Sequence, residues 1–348
     1  MSFELPSDEC ILGIETSCDE TSAAVLKNGS LASVVISSQF FHNRFGGVVP
    51  ELASRAHVRN ILPIVRETFA RAGMASADLT AIAVTYAPGL MGSLLAGLNF
   101  AKGVALGLEI PLIGIHHIEA HIFSALLEPS KPELPFIALI VSGGHTLLLL
   151  VKDVGSYEFL GETLDDAAGE AFDKVGKMIG LDYPAGPQID ALAKEGNPDS
   201  ISFPRAMIND ANYDFSFSGI KTSVLYWLKK HGYHENDTSL KKDIAASFQR
   251  AVVDVLVTKT LRAAKEHGVT HVVCVGGVSA NSELRARFER ECSRSNVRFF
   301  VPRPLFSTDN AAMIAMLGAL KLARGQRSDF SLTALPRVPL APRPEIAL

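Results

Sequence analysis

The sequence predicts an α/β protein built of two related lobes, and three observations predict it. Short buried strands alternate with long helices along all 348 residues. One device, two strands around a tight polar turn, occurs at residues 11–15 and 22–27 and again at 136–141 and 146–152. A content of 47% apolar and 20% charged residues, with 27 glycines, suits a chain of this length burying two cores.

The elements follow in order. Residues 11–15 and 22–27 flank the turn Thr16-Ser-Cys-Asp-Glu-Thr21, and 31–38 form a third strand. A helix over 50–71 opens on Pro50, with Leu52, Val58, Ile61, Ile64, Val65 and Phe69 as its apolar face. Residues 81–87 are a buried strand and 91–108 a buried helix. The stretch 81–101 carries no charge and is long enough to span a bilayer, but Pro88, Gly89, Gly92, Gly97 and Asn99 break it into strand, turn and helix. Residues 111–115 are a short strand, and 122–127 read as helix.

The second round starts at 136–141 and 146–152 around Ser142-Gly143-Gly144-His145. Helices follow at 166–179, 186–194, 220–231 and 243–267, then a strand at 271–275. Gly276-Gly277-Val278-Ser279-Ala280-Asn281 opens a helix over 283–292, and 309–323 is a final core helix. Residues 181–186 and 196–219 read as loops, the usual place for functional groups in a compact domain.

Composition excludes some roles. The net charge of −4 gives no global attraction for nucleic acid, so such a partner must meet a local patch or a helper protein. Arg285, Arg287, Arg290, Arg294 and Arg298 alternate with Glu283, Glu289 and Glu291, the pattern of a solvated helix. Lys321, Arg324, Arg327, Arg337 and Arg343 are the better phosphate-contact candidates. No export signal opens the chain, and its four cysteines form no CxxC pair, so a reduced cytoplasmic setting without a membrane is expected.

The chemistry centres on His117-Ile118-Glu119-Ala120-His121. Two imidazoles four residues apart project from one helix face and can share a metal ion, or are unrelated, one capping and one packed. A zinc protease is excluded, because its helix reads His-Glu-x-x-His and Ile118 stands where the general base belongs. Glu119 falls roughly 200° around the helix from His117 and points away. Asp309 begins the last helix, with Ser307 or Thr308 as cap; it either serves the helix dipole or is a third ligand.

Glycine turns at Gly13–Thr21, Gly143-Gly144 and Gly276-Gly277 let backbone approach a phosphate, although double glycines are also ordinary turns. Neither a P-loop nor a GxGxxG fingerprint is present. Asp173 and Glu170 lie near one another on a helix, placed either to hold ribose hydroxyls or as a solvated face. A non-catalytic nucleotide switch of the actin type would share the turns but need no His/His/Asp set.

Eight motifs stand in family order. They are Gly13-Ile-Glu-Thr-Ser-Cys-Asp-Glu-Thr21, Gly46-Gly-Val-Val-Pro-Glu-Leu-Ala-Ser-Arg55, His116-His117-Ile-Glu-Ala-His121 and Val141-Ser-Gly-Gly-His145-Thr. Gly169-Glu-Ala-Phe-Asp-Lys174, Asp214-Phe-Ser-Phe-Ser-Gly219, Gly276-Gly-Val-Ser-Ala-Asn281 and Ser307-Thr-Asp-Asn310 follow. Over nearly its whole length the chain resembles the bacterial TsaD family, formerly Gcp or "O-sialoglycoprotein endopeptidase".

The resemblance implies an actin/Hsp70/sugar-kinase-like (ASKHA) fold with duplicated ribonuclease-H-like lobes. Residues 1–115 with 318–348 would form the first, and 116–317 the second, carrying the metal and nucleotide cleft. It also implies transfer of a threonylcarbamoyl group from threonylcarbamoyl-adenylate to the N6 amine of adenosine 37, in tRNAs reading codons that start with A. AMP would be released. His117, His121 and Asp309 would hold one divalent ion, iron(II) ahead of zinc. Ile140, Val141, Ser142, Gly143, Gly144, Asp173, Gly186 and Asn281 would contact the adenylate. The family loop Tyr-Pro-Gly-Gly-Pro reads Tyr183-Pro-Ala185-Gly-Pro187 here, with Gly186 kept. Implied partners are a TsaB-like paralogue, a TsaE-like ATPase and a TsaC-like enzyme supplying the adenylate. No residue identifies itself as the base that takes the amine proton.

Overall fold

The computed structural model describes residues 3, 5, 8–45 and 47–341. Gly46 and Arg343, named above, lie outside them. The chain divides into two units, one of residues up to 133 with 302–341, the other of 134–301.

In the first unit, β1 (Cys10–Glu15), β2 (Glu20–Lys27) and β3 (Ser30–Ser38) form an antiparallel meander. Helix α1 (Pro50–Ala72), strand β4 (Ala81–Ala87), helix α2 (Met91–Leu108), strand β5 (Leu112–His116) and helix α3 (His117–Phe123) follow. The second unit contains β6 (Phe136–Val141), β7 (Thr146–Asp153), β8 (Ser156–Glu162), α4 (Ala168–Met178), α5 (Gly186–Ala193), α6 (Ser218–Lys230) and α7 (Thr238–Glu266). It closes with β9 (His271–Val275), α8 (Ser282–Arg294) and β10 (Arg298–Phe300). The chain then returns to the first unit for α9 (Pro304–Ser307) and α10 (Ala311–Ala323).

The predicted duplication is realised in the sheets. Their strand orders are β3-β2-β1-β4-β5 and β8-β7-β6-β9-β10, the same path walked twice. In each, a meander of three antiparallel strands is extended by two parallel ones.

Alternation along β1 sorts its residues between two helical layers. Leu12 and Ile14 join the core under Ile61, Ile64 and Val65 of α1 and Leu94 and Leu98 of α2. Ile11 and Gly13 face α10, so close that a Cβ on Gly13 would lie 2.7 Å from the Ala315 nitrogen. Glu15 continues that second face. On β4, Ala83 packs against Gly318 of α10, and Thr85 follows on the same side. The second unit encloses its own core of Ile137, Leu139, Val141, Val272 and Cys274 with α4 to α8.

Several expectations change. The unit boundaries fall at 133/134 and 301/302, not at 115/116 and 317/318. Strand β5 pairs in parallel with β4, and α10 packs on β1 and α3, which keeps 116–133 and 302–317 with the first sheet. His117, His121 and Asp309 therefore belong to the first unit. The buried stripe of α1 is Ala53, His57, Ile61, Ile64, Val65 and Thr68, whereas Leu52 and Val58 face outward, Val58 being 68% exposed. Helix α2 buries one stripe, Leu94, Gly97, Leu98, Ala101 and Ala105, and leaves Met91, Leu95 and Leu106 exposed. By length and composition alone α2 would pass for a membrane span, but a separate strand, β4, precedes it, as Pro88 and Gly89 predict.

Candidate metal and nucleotide sites

Strand β5 ends at His116, and α3 begins at His117, earlier than the 122–127 the sequence suggested; Ser124–Leu127 is a 3₁₀ turn. The early start gives both imidazoles helical spacing. Their rings meet edge to face with centroids 4.7 Å apart. Asp309 reaches them from the segment between α9 and α10. Its Oδ1 lies 3.1 Å from His121 Nε2 and 3.4 Å from His117 Nε2. The cap of α10 is Asn310, whose side chain accepts from the Met313 N–H at 3.0 Å, not Ser307 or Thr308. Asp309 is thus free of capping duty and turned to the histidines.

One ligand atom from each of these three residues lies within 4.8 Å of the others, a spacing that fits a single ion. Two imidazoles and one carboxylate are a donor set for iron(II) or zinc with positions left open. Glu119 stays outside, as its helical angle predicts, and pairs with Lys321 at 2.7 Å.

The sequence reading missed the groups behind the triad. The His117 Nδ1–H donates to Glu15 Oε2 at 3.0 Å, and Ser17 Oγ lies 3.2 Å from the same nitrogen. The signal was available in the polar turn that directly follows β1. Burial alone would lower the basicity of His117, but Asp309 and Glu15 on either side raise its pKa well above the usual histidine value. Burial likewise opposes ionisation of Asp309 and Glu15, yet His117 beside them holds both carboxyls below their usual range. Glu20 is different: burial, with Asp309 and Asp19 nearby, pushes it up to about 9.

In the second unit three turns meet at the end of β6. The Ser142 N–H donates to the His145 carbonyl at 2.8 Å, closing the glycine turn. A Cβ on Gly169, at the start of α4, would lie 2.6 Å from the Ser142 oxygen. Gly276 has φ +93°, and a Cβ there would lie 2.5 Å from the Val141 oxygen, so only glycine fits. Gly143, Gly144, Gly186 and Gly277 instead face open space.

The predicted contact residues are placed unequally. Ile140 and Val141 have fully buried side chains, so only their main chain is available. Asp173 Oδ1 accepts from the Ala185 N–H at 2.8 Å and ties the 182–185 loop to α4. Burial raises its pKa, against the hydrogen bonds from Ala185 and Gly186. The Asn281 side chain caps α8 through the Leu284 N–H at 3.0 Å and donates to Gln249 Oε1 at 2.6 Å.

The arginines of α8 are engaged. Arg287 pairs with Asp254 at 2.9 Å, and Arg290 and Arg294 with Glu291, as expected of a solvated helix. Cys18, Cys274 and Cys292 have thiols pushed up by burial, Cys292 to about 12, and all four cysteines are unpaired.

Comparison with known proteins agrees with this organisation. The family model described as TsaD: tRNA N6-adenosine threonylcarbamoyltransferase matches residues 29–316. A protein of that name from Chlorobium phaeovibrioides is 52% identical over 338 residues, covering 94% of this chain and 98% of its own. Those from Prosthecochloris aestuarii and Clostridium perfringens (strain SM101 / Type A) are 53% and 49% identical, covering 91% and 96% of this chain and 95% and 98% of theirs. Among solved structures, HypF of T. kodakarensis superposes with a TM-score of 0.63 at 16% identity, over 92% of this chain and 49% of that one. Component A of the Acidaminococcus fermentans (R)-2-hydroxyglutaryl-CoA dehydratase gives 0.56 at 18%, over 91% and 100%. These two likenesses concern the fold, which is of the ASKHA class with duplicated ribonuclease-H-like sheets. With a match spanning most of its length and relatives near half identical throughout, the chain belongs to the TsaD family and is a tRNA N6-adenosine threonylcarbamoyltransferase.

Proposed function

We propose that the chain transfers the threonylcarbamoyl group of threonylcarbamoyl-adenylate to the N6 amine of adenosine 37, in tRNAs reading codons that start with A, with release of AMP. Family membership supports the reaction class, and the observation that carries the site is the convergence of His117, His121 and Asp309 on one small volume. These three would hold a divalent ion, iron(II) ahead of zinc. The ion supplies Lewis-acid polarisation of a carbonyl or phosphoryl oxygen when bound.

The chain's own groups do the remaining work. Within the turn that Ser142 closes, Gly143 and Gly144 offer main-chain N–H groups and unobstructed space to the adenylate phosphate, with Ile140 and Val141 contributing backbone only. Asp173, Gly186 and Asn281 shape the nucleoside pocket. A net charge of −4 leaves tRNA binding dependent on partners, since phosphate neutralisation supplies most non-specific affinity. A TsaB-like paralogue and a TsaE-like ATPase fill that role, a TsaC-like enzyme makes the adenylate, and the setting is cytoplasmic.

The test is mass spectrometry of digested tRNA. With the adenylate, the helpers and a tRNA reading A-starting codons, threonylcarbamoyladenosine forms over multiple turnovers; the chain alone forms little. No modification in the complete mixture would remove this reading, and efficient turnover without helpers would remove the partners from it.

A further inference from the structure

Glu15 ends the central strand of the first sheet and is fully buried, an expensive place for a carboxylate unless its oxygens are matched. They are. Oε1 accepts the Ser17 N–H, while Oε2 accepts the Thr85 hydroxyl at 2.6 Å and the His117 Nδ1–H at 3.0 Å. The side chain arrives there by strand geometry. Ile11, Gly13 and Glu15 alternate on the α10-facing side of β1, and Thr85 occupies the matching side of β4, the parallel neighbour. His117 follows directly on β5, the next strand out. Three adjacent strand ends thus assemble a chain from Thr85 through Glu15 to His117, whose Nε2 lies 3.4 Å from Asp309 Oδ1.

We propose that Glu15 is a positioning residue for His117, fixing the imidazole tautomer that carries its proton on Nδ1 and offers the Nε2 lone pair to a divalent ion. This rests on the metal reading above. A carboxylate accepts hydrogen bonds only, so His117 can bond Glu15 through Nδ1 solely as a donor, and in the neutral ring the lone pair is then on Nε2. The negative charge also raises the donor strength of that nitrogen. His121 has no such support: its Nδ1 is buried and meets no protein partner. Of the two imidazoles, His117 is the one whose tautomer and orientation the fold dictates.

The test uses the full-length chain with zinc as probe. Glu15→Gln keeps the size and an acceptor for the Ser17 N–H, but its amide can donate to Nδ1 and move the ring proton to Nε2, where it blocks ligation. Competition titration with a chromophoric chelator should show zinc affinity falling about tenfold to a hundredfold, the range for outer partners of metal ligands. Proton NMR of the zinc-loaded wild type should show a downfield, slowly exchanging His117 Nδ1–H that is missing from the variant. Should Glu15→Gln fail to fold, Thr85→Val removes only the outer hydroxyl and should give a smaller loss in the same direction. Zinc affinity within twofold of wild type in the folded variants, with the Nδ1–H signal unchanged, overturns the proposal. Failure of the underlying metal reading looks different: there, His117→Ala binds zinc as tightly as wild type.

Discussion

Gly176 of α4 and Ala185 of the loop before α5 are packed so closely that a methyl group on Gly176 would overlap the Ala185 Cβ. Ala185 is 1% exposed and cannot swing aside, because its Cβ is fixed to a backbone that Asp173 anchors. A glycine inside α4 makes room for it.

The pair should therefore be coupled. In an unobstructed helix Gly176→Ala would gain up to about 1 kcal/mol from propensity. Here overpacking, at about 1–3 kcal/mol, should outweigh that gain and lower stability. Adding Ala185→Gly removes the overlapping methyl and should return the protein to wild-type stability or above. Urea denaturation of both single variants and the double variant checks this. Additive effects would mean that the two positions do not press on one another.

Metal binding should fail one ligand at a time. His117→Ala and His121→Ala should each lose bound metal with the fold largely kept, and Asp309→Ala should lose less because both imidazoles remain. Elemental analysis of purified protein gives the stoichiometry. Wild-type metal content in both histidine variants would remove these ligands.

Much of this was legible in the sequence because it is local. The i,i+4 histidines, the glycine turns and the repeated strand–turn–strand device each lie within a few residues of chain. What was illegible depends on pairing at a distance. Strand β8, Ser156–Glu162, is an edge strand with a half-exposed face, and β10 has three residues, so neither presents a buried run. The side of α1 that is buried could not be read from hydrophobicity, since His57 and Thr68 lie inside and Val58 outside. His57 earns its place by hydrogen bonds to Thr21 at 2.8 Å and to the Cys18 carbonyl at 2.9 Å. Glu15 adjoins the polar turn after β1, but its role could not be read there, because its partners Thr85 and His117 come from β4 and from the start of α3. The unit boundaries shifted because α10 packs on α3 and on β1, contacts that no local pattern announces.

Asp166 should make stability depend on pH. Burial alone would raise its pKa, but hydrogen bonds from Lys174 at 2.7 Å and Lys221 at 2.9 Å outweigh that and lower it. A carboxyl whose folded pKa lies below its unfolded value contributes stability above the unfolded value and loses it as pH falls through the folded one. Asp166→Asn should therefore cost about 1.5–3 kcal/mol near neutral pH, the range for charge-assisted hydrogen bonds. The gap to wild type should close as pH falls below the ordinary aspartate range. Denaturant titrations at both pH values measure it, and a gap independent of pH would assign the loss to packing instead.

Nucleotide binding should respond to three residues of the second unit, each by a different route. Gly144→Val fills open space beside the turn where a phosphate is expected, so it should weaken adenine nucleotides most while leaving stability near wild type. Asp173→Ala removes the carboxylate that orders Ala185 and Gly186, so affinity should fall together with loop order. Asn281→Ala is ambiguous by itself, because losing the α8 cap costs about 1 kcal/mol of stability whatever the residue does for ligand. Asn281→Ser keeps a capping oxygen and drops the amide. If Asn281 contacts the nucleotide, Asn281→Ser should bind as weakly as Asn281→Ala yet be more stable, a split that calorimetry and thermal melting read separately. Nucleotide affinity unchanged in Gly144→Val, Asp173→Ala and Asn281→Ser would place the binding site elsewhere.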